Sequence, residues 1–235
     1  MPDRTKCEAT LGADLGGLYF SLYESFVVMG LEWRVFSEWF RAAPERVDLL
    51  NEVSGTTALV IQNALRERTA IKLSRLTDRS SQGRNRNASL AALRNYEVTE
   101  NDAILQQNVL NAQEKASNIR RIRSKRLVHA DHRETLFPSD DLGASYADFD
   151  AAIKASGAVL QHFSNVYLDA HVSFDMVSSF KDDEVSFLKV IYLGLIKRDE
   201  ISSELREIKN VADYEREIDR VPDYLRRRFF VDMLS

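Results

Sequence analysis

Apolar residues recur at helical intervals along most of this chain. Leu15, Leu18, Leu22 and Phe26 stand three or four apart and predict a helix over 11–28, its ends weakened by Gly16, Gly17 and Gly30. Trp33, Phe36, Trp39 and Phe40 then form an aromatic stripe between Leu31 and Phe40, the pattern of a helix face turned to a core. Pro44 suits a first helical turn, and Val47, Leu50, Val53, Val60, Ala64 and Ile71 predict one long helix up to Leu76. Asp78 to Asn87 (DRSSQGRNRN) is polar, contains glycine and lacks a period, so it reads as a surface loop. A short helix, Ser89 to Asn95, should follow with Asn87 or Ser89 as its cap. Thr99 precedes Asp102 by three residues, like a capping box with Asp in place of Glu. The helix it opens carries Ile104, Leu105, Ala112, Ala116, Ile119 and Ile122 on its apolar side.

Phe137-Pro138 should end that unit, and Ser139, Asp140 and Asp141 offer caps for the next. Tyr146, Phe149, Ile153, Leu160, Phe163 and Tyr167 make a clear periodic stripe. Asp182 and Asp183 should cap a further helix through Ile196, whose run VSFLKVIYLGLI is too short to span a bilayer and suits a buried helix. From Asp199 the tail is charge-dense and reads as one or two peripheral helices around Pro222. The pattern predicts an all-α protein, an antiparallel helical bundle over 1–198 with a charged helical extension over 199–235.

Composition narrows the class. With 44% hydrophobic and 29% charged residues over 235 positions, the chain can bury a substantial core as one large or two small domains. Nine glycines and four prolines leave little punctuation for a many-hairpin sheet protein. Cys7, the single cysteine, excludes an intrachain disulfide and fits a reducing compartment. It has no base near it in sequence, which argues against nucleophilic catalysis there, and no second cysteine exists for the usual zinc site. No basic stretch followed by an apolar core opens the chain, so the expectation is a cytoplasmic protein without membrane association, metal or cofactor.

One segment departs from this bland chemistry. Seven Lys or Arg residues fall between Lys115 and Arg133 against one acid, Asp131, in a chain whose net charge is −4. Within it lies Arg123, followed directly by Ser124 and six positions on by His129. A guanidinium neutralises and orients a phosphate, while an imidazole titrating near neutrality exchanges a proton. Arg120, Arg121, Lys125 and Arg133 extend the strip along which an RNA backbone would lie. Taken alone, the cluster equally fits a solvated basic helix end that complements the helix dipole. Six residues turn an α-helix by about 600°, so Arg123 and His129 would stand ~120° apart on a straight helix, whereas Arg126 shares the face of His129. Either the helix bends or ends near Val128, or two subunits share one groove. Elsewhere, His162 and His171 read as surface or packing residues, Arg75 and Asp78 as closing a helix, and Arg226 to Arg228 as an exposed face.

The spacing Arg123-x5-His129 resembles the signature of the HEPN superfamily, an arginine, four to six residues of which the first is usually polar, then a histidine. Ser124 stands where the family more often has Asn, Asp or His. Val128 to Asp131 (VHAD), Leu73 to Asp78 (LSRLTD), Asn87 to Leu90 (NASL), and Trp33 to Phe40 followed by Val47 to Asn51 (VDLLN) are similar to the abortive-infection, AbiU-type branch. The likeness runs from about Leu11 to Ile196. It implies a helical bundle with a site completed by homodimerisation. It further implies either a metal-independent endoribonuclease of a phage-defence or toxin–antitoxin system, or a non-catalytic module that binds RNA, a nucleotide or a protein. In the first case His129 moves the proton, Arg123 stabilises the transition state and Ser124 orients the phosphate. Arg126 competes for the phosphate role, Asp131 and His132 position His129, and the product ends in a 2′,3′-cyclic phosphate. A neighbouring antitoxin or nucleotidyltransferase is the partner expected of a two-component system.

Overall fold

The computed structural model describes residues 3–122, 144–172 and 183–207. Helix α1 spans Arg4–Leu11, α2 Ala13–Phe40 and α3 Pro44–Leu76. A two-residue β1 (Ser81–Gln82), a matching β2 (Asn85–Arg86) and a 3-10 helix over Leu90–Arg94 come next, followed by α4 (Ala103–Lys115) and α5 (Ser117–Ile122). Helix α6 covers Tyr146–Tyr167 and α7 Asp183–Glu207. The described chain is all-α apart from this small hairpin.

A single helix occupies the whole stretch that the pattern divided near Gly30. Among its buried residues, Leu15, Tyr19, Leu22, Phe26, Met29, Trp33 and Phe36 are alternately four and three apart, an unbroken apolar seam. A mid-helix glycine costs about 1 kcal/mol. Burying a side chain such as Met29 contributes about 1.5–3 kcal/mol, so packing on both sides of Gly30 outweighs its propensity. Gly16 matters for a different reason. A Cβ there would run into the Cys7 carbonyl, so its missing side chain lets α1 lie directly on α2. Gly12, at φ 83°, makes the turn between them. Cys7 is thereby fixed in the core at 2% exposure, and burial, then nearby Asp3, pushes its thiol pKa up.

Helix α3 starts at Pro44 and ends at Leu76 as its pattern indicates, but it is broken once, at Ser54 (φ −167°, ψ 94°). The Ser54 hydroxyl donates to Thr57 Oγ1 (2.9 Å) and accepts from the Thr57 amide (3.4 Å), which recaps the helix beyond the break. Its core residues gather at the far end, at Thr69, Ala70, Leu73, Ser74 and Leu76, while Val53 and Val60 are exposed. Ion pairs tie α3 to the second half of α2 on both sides of that break: Arg46 meets Glu38 near the turn and Lys72 meets Glu32 farther along.

Helices α4 and α6 form the other large contact. Asn118, just past α4, bonds Asp148 near the start of α6, while Asp102 before α4 bonds Tyr167 at the end of α6, which makes this pair antiparallel. The aromatic residues join the layers: Trp33 stacks on Phe149 at 4.7 Å and Tyr19 on Phe163 at 4.8 Å between ring centroids. The stripe expected to face the core does so at Trp33 and Phe36, whereas Trp39 is half-buried and donates Nε1–H to the Glu184 carbonyl (3.1 Å). Arg34 grips the Glu184 carboxylate through Nε (2.6 Å) and Nη2 (3.1 Å).

Contacts divide the chain into two compact units, Met1–Glu184 and Val185–Ser235, so the division falls within α7; the sequence expectation drew it at 198/199. The apolar run in α7 was expected to be buried. Leu188 and Leu195 are, but Phe187, Val190 and Leu193 are 50%, 69% and 62% exposed. No helix among the described residues is long and apolar enough to cross a membrane. The caps expected at Ser139, Asp140 and Asp141, and the tail helices around Pro222 with Arg226 to Arg228, lie outside the described residues.

Candidate nucleic-acid interface

Two helix ends frame the basic segment. On entry stands α5, set off from α4 at Ala116, whose backbone (φ −84°, ψ 0°) leaves the helical region. The apolar side expected to run unbroken to Ile122 nonetheless continues across the break, because Ala112, Ala116 and Ile119 are all fully buried. Arg120 fixes α5 to its neighbours: Nη1 donates to the Thr77 carbonyl (3.0 Å) at the end of α3 and Nη2 to the Gln113 carbonyl (2.9 Å) in the last turn of α4. A cation placed on terminal helix carbonyls satisfies orphan acceptors and complements the dipole. Arg120, expected on the RNA-binding strip, thus has two donors committed within its own chain. Arg121, the next residue, is exposed.

On return, α6 begins behind Ser145. The Ser145 hydroxyl accepts from the Asp148 amide (3.2 Å) while the Asp148 carboxylate takes the Ser145 amide (2.7 Å), a complete capping box. Donation by the Ser145 amide, then by its hydroxyl, holds the Asp148 carboxyl below the ordinary range. Asn118 Nδ2 donates to the other Asp148 oxygen at 3.3 Å, tying the first turn of α5 to the first turn of α6. Arg123, Ser124, Lys125, Arg126, His129, Asp131, His132 and Arg133 lie outside the described residues.

A polar cluster that sequence reasoning missed lies at the opposite end of the α4–α6 pair. The Asp102 carboxylate accepts from the Leu105 amide (2.8 Å), His162 Nε2 (2.8 Å) and the Tyr167 hydroxyl (2.9 Å). Asp102 itself is the N-cap of α4, which corrects the reading of Thr99 as the cap. Thr99 is buried in the preceding turn and donates to the Leu93 carbonyl (2.6 Å) instead. Burial pushes the Asp102 carboxyl up, but the donors from Leu105, His162 and Tyr167 outweigh it and the pKa falls. Burial, and then the Asp102 oxygen, raise the Tyr167 phenol to about 12. The cap signal at Asp102 was readable; partners sixty residues downstream were not.

A model of the AbiU2 family, a HEPN family, matches residues 13–188. No curated protein and no solved structure matches the chain. The matched span takes in α2 to α6, both roots of the basic segment, and the positions of Arg123, Ser124 and His129.

Proposed function

The chain belongs to the AbiU2 family of HEPN domains, and on that footing we propose that it is a metal-independent endoribonuclease whose Arg-His site forms at a homodimer interface. The observation that carries this reading is the family match across residues 13–188, which encloses Arg123-x5-His129. HEPN domains commonly dimerise and bind RNA. The helical phase of the pair gives an independent reason for two chains, because one straight helix sets Arg123 and His129 ~120° apart. The anchoring of α5 by Arg120 and of α6 by Asp148 supplies a rigid base for residues acting on a phosphodiester.

In this mechanism His129 removes the proton from a ribose 2′-hydroxyl. The 2′-oxygen then attacks phosphorus, and the bond from phosphorus to the 5′-oxygen breaks. The His129 of the second chain protonates that leaving oxygen, so one proton is taken and one returned. Arg123 stabilises the charge gathered on the phosphoryl oxygens. Ser124 orients the phosphate, Arg126 adds a cation on the face of His129, and Asp131 with His132 positions the imidazole. The products are a 2′,3′-cyclic phosphate and a 5′-hydroxyl. Such an effector fits phage defence or a toxin–antitoxin pair with a neighbouring antitoxin or nucleotidyltransferase.

End-group mapping of RNA incubated with purified protein in excess EDTA tests this. Cyclic phosphate ends appearing in EDTA support the mechanism; cleavage abolished by EDTA, or ends of another kind, contradicts it. A second reading, a non-catalytic RNA-, nucleotide- or protein-binding module, draws on Ser124, which stands where the signature more often has Asn, Asp or His. That reading predicts binding that survives His129→Gln and no cleavage by the wild type.

A further inference from the structure

The loop expected over Asp78–Asn87 is an ordered hairpin. β1 and β2 pair antiparallel with Ser81 opposite Arg86 and Gln82 opposite Asn85. Gly83, at φ 61°, takes the first central position of the turn, so Arg84 stands at the tip. The Asn87 amide closes the base on the Ser80 carbonyl (2.9 Å), and Asn87 Nδ2 reaches the Arg79 carbonyl (3.0 Å). No aspartate or glutamate occurs between Arg79 and Tyr96, whereas arginines occupy 79, 84, 86 and 94. Arg79, Arg84 and Arg86 are exposed, and none forms an ion pair with an acid among the described residues. In a chain of net charge −4 this is a concentrated positive surface among the described residues.

Its location gives it meaning. The hairpin grows from Thr77 and Asp78, and Arg120 of α5 holds the Thr77 carbonyl at 3.0 Å while Gln113 of α4 holds the Asp78 carbonyl at 3.3 Å. The root of the hairpin is thus fastened to the helix whose next residue is Arg123. At ~3.3 Å rise per residue, the tip stands about 15 Å from that root, within the reach of a strand passing the α5 exit. Between the arginines lie Ser80, Ser81, Gln82 and Asn85, hydroxyls and amides that bond phosphate and sugar oxygens. An acidic protein partner would be matched by charge alone; this alternation of guanidinium with neutral donors suits a sugar–phosphate chain better.

We infer that the Arg79–Asn87 hairpin is a second RNA-backbone contact, in which Arg79, Arg84 and Arg86 grip phosphates of the strand presented to the Arg123–His129 segment. This rests on the endoribonuclease reading and adds to it how the substrate is held. Arg86 shares its hairpin face with Ser81, a side chain too small to cover it. A contact of this kind is sequence-tolerant, and its strength follows the release of counterions.

The test uses the full chain and two forms of one single-stranded RNA, a 2′-O-methyl oligonucleotide that cannot be cleaved and its unmodified counterpart. Affinity for the first is measured by anisotropy across a salt series, and cleavage of the second is measured in parallel. Arg84→Gln combined with Arg86→Gln should weaken binding at low salt. It should also flatten the slope of log K against log salt by about 1.4, from roughly 0.7 for each lost phosphate contact. Arg79→Gln should subtract about 0.7 more, with helical circular dichroism and melting temperature unchanged throughout. Wild-type affinity and slope in the variants overturn the inference, and cleavage by the wild type in that experiment shows that the nuclease reading stands without it. Displacement of RNA by equimolar polyglutamate overturns it in favour of an acidic protein ligand. Hairpin-dependent binding with no cleavage of unmodified RNA supports the contact and removes the nuclease; absence of both removes both.

Discussion

Asn118 on α5 donates to Asp148 Oδ1 on α6 at 3.3 Å, and that bond ties the first turn of α5 to the first turn of α6. Asp148 has two roles, since its second oxygen completes the Ser145 cap. Asp148→Ala should therefore lower unfolding free energy by about 1–2 kcal/mol, from the loss of its bonds with the Ser145 amide and hydroxyl and with Asn118. Asn118→Ala spares the cap and should cost under about 1 kcal/mol while reducing RNA cleavage more than stability. Urea denaturation beside a cleavage assay separates the two effects. Equal loss of stability in both variants would contradict the assignment.

The Asp102 cluster has a pH signature. Its carboxyl is lowered on folding, so the stabilisation is complete above the unfolded carboxylate pKa and is lost as pH falls through the folded value. Asp102→Asn should flatten the acid limb of the stability curve, measured as melting temperature against pH. Asp102→Ala, which removes the cap and leaves His162 and Tyr167 without their acceptor, should cost about 2 kcal/mol at neutral pH.

Tyr167 provides the alkaline counterpart. Its phenol is raised to about 12, so its contribution is full below the unfolded tyrosine pKa and fades as pH climbs toward 12. The ultraviolet difference between wild type and Tyr167→Phe isolates this titration. In an Asp102→Asn background the midpoint should move down, because the neutral amide no longer opposes phenolate formation. An unmoved midpoint would leave burial as the whole cause.

Gly16→Ala should detach α1. A Cβ there meets backbone rather than a flexible side chain, so α1 must shift, at about 1–3 kcal/mol for overpacking. Hydrogen exchange should accelerate over residues 4–11 and in the neighbourhood of Cys7. Gly83→Ala also introduces strain, at φ 61°, but in open space, and should leave α1 untouched.

Arg120 distinguishes scaffold from ligand contact. If its guanidinium chiefly holds the Thr77 and Gln113 carbonyls, Arg120→Ala should lose about 2 kcal/mol of stability, from charge-assisted bonds to one buried and one half-buried residue. Arg120→Lys should recover part of that. A variant with wild-type stability and weakened RNA affinity would place the residue on the RNA surface instead.

Much of the helical fold was legible because it is written in local periodicity. Pro44 marks the start of α3, and the stripe from Tyr146 to Tyr167 matches α6 at both ends. Errors arose where tertiary contact decides. Gly30 looked like a boundary, but Met29 and Trp33 are buried on either side of it. The break at Ser54 follows from a local hydroxyl pair that apolar spacing cannot register. Val53 and Val60 carry the right period in α3 but lie away from its packed end. Thr99 and Asp102 both carry cap chemistry, and only the position of the preceding turn selects Asp102. Around the candidate site, the basic charge was visible, but its division was not. Arg120 turns inward to two carbonyls, and the root of the arginine-bearing hairpin, distant in sequence, is fastened to it at Thr77. Both facts depend on α5 meeting the end of α3, a contact no window of sequence contains.

The central claim is that one Arg-His site cleaves RNA. The most direct measurement is the cleavage rate of a single RNA by purified wild type, Arg123→Ala and His129→Ala at matched folding. We expect cleavage by the wild type and a loss of at least about a hundredfold in each variant, the lower range for removing an acid–base or charge-stabilising group. Undiminished cleavage in both variants would contradict the account.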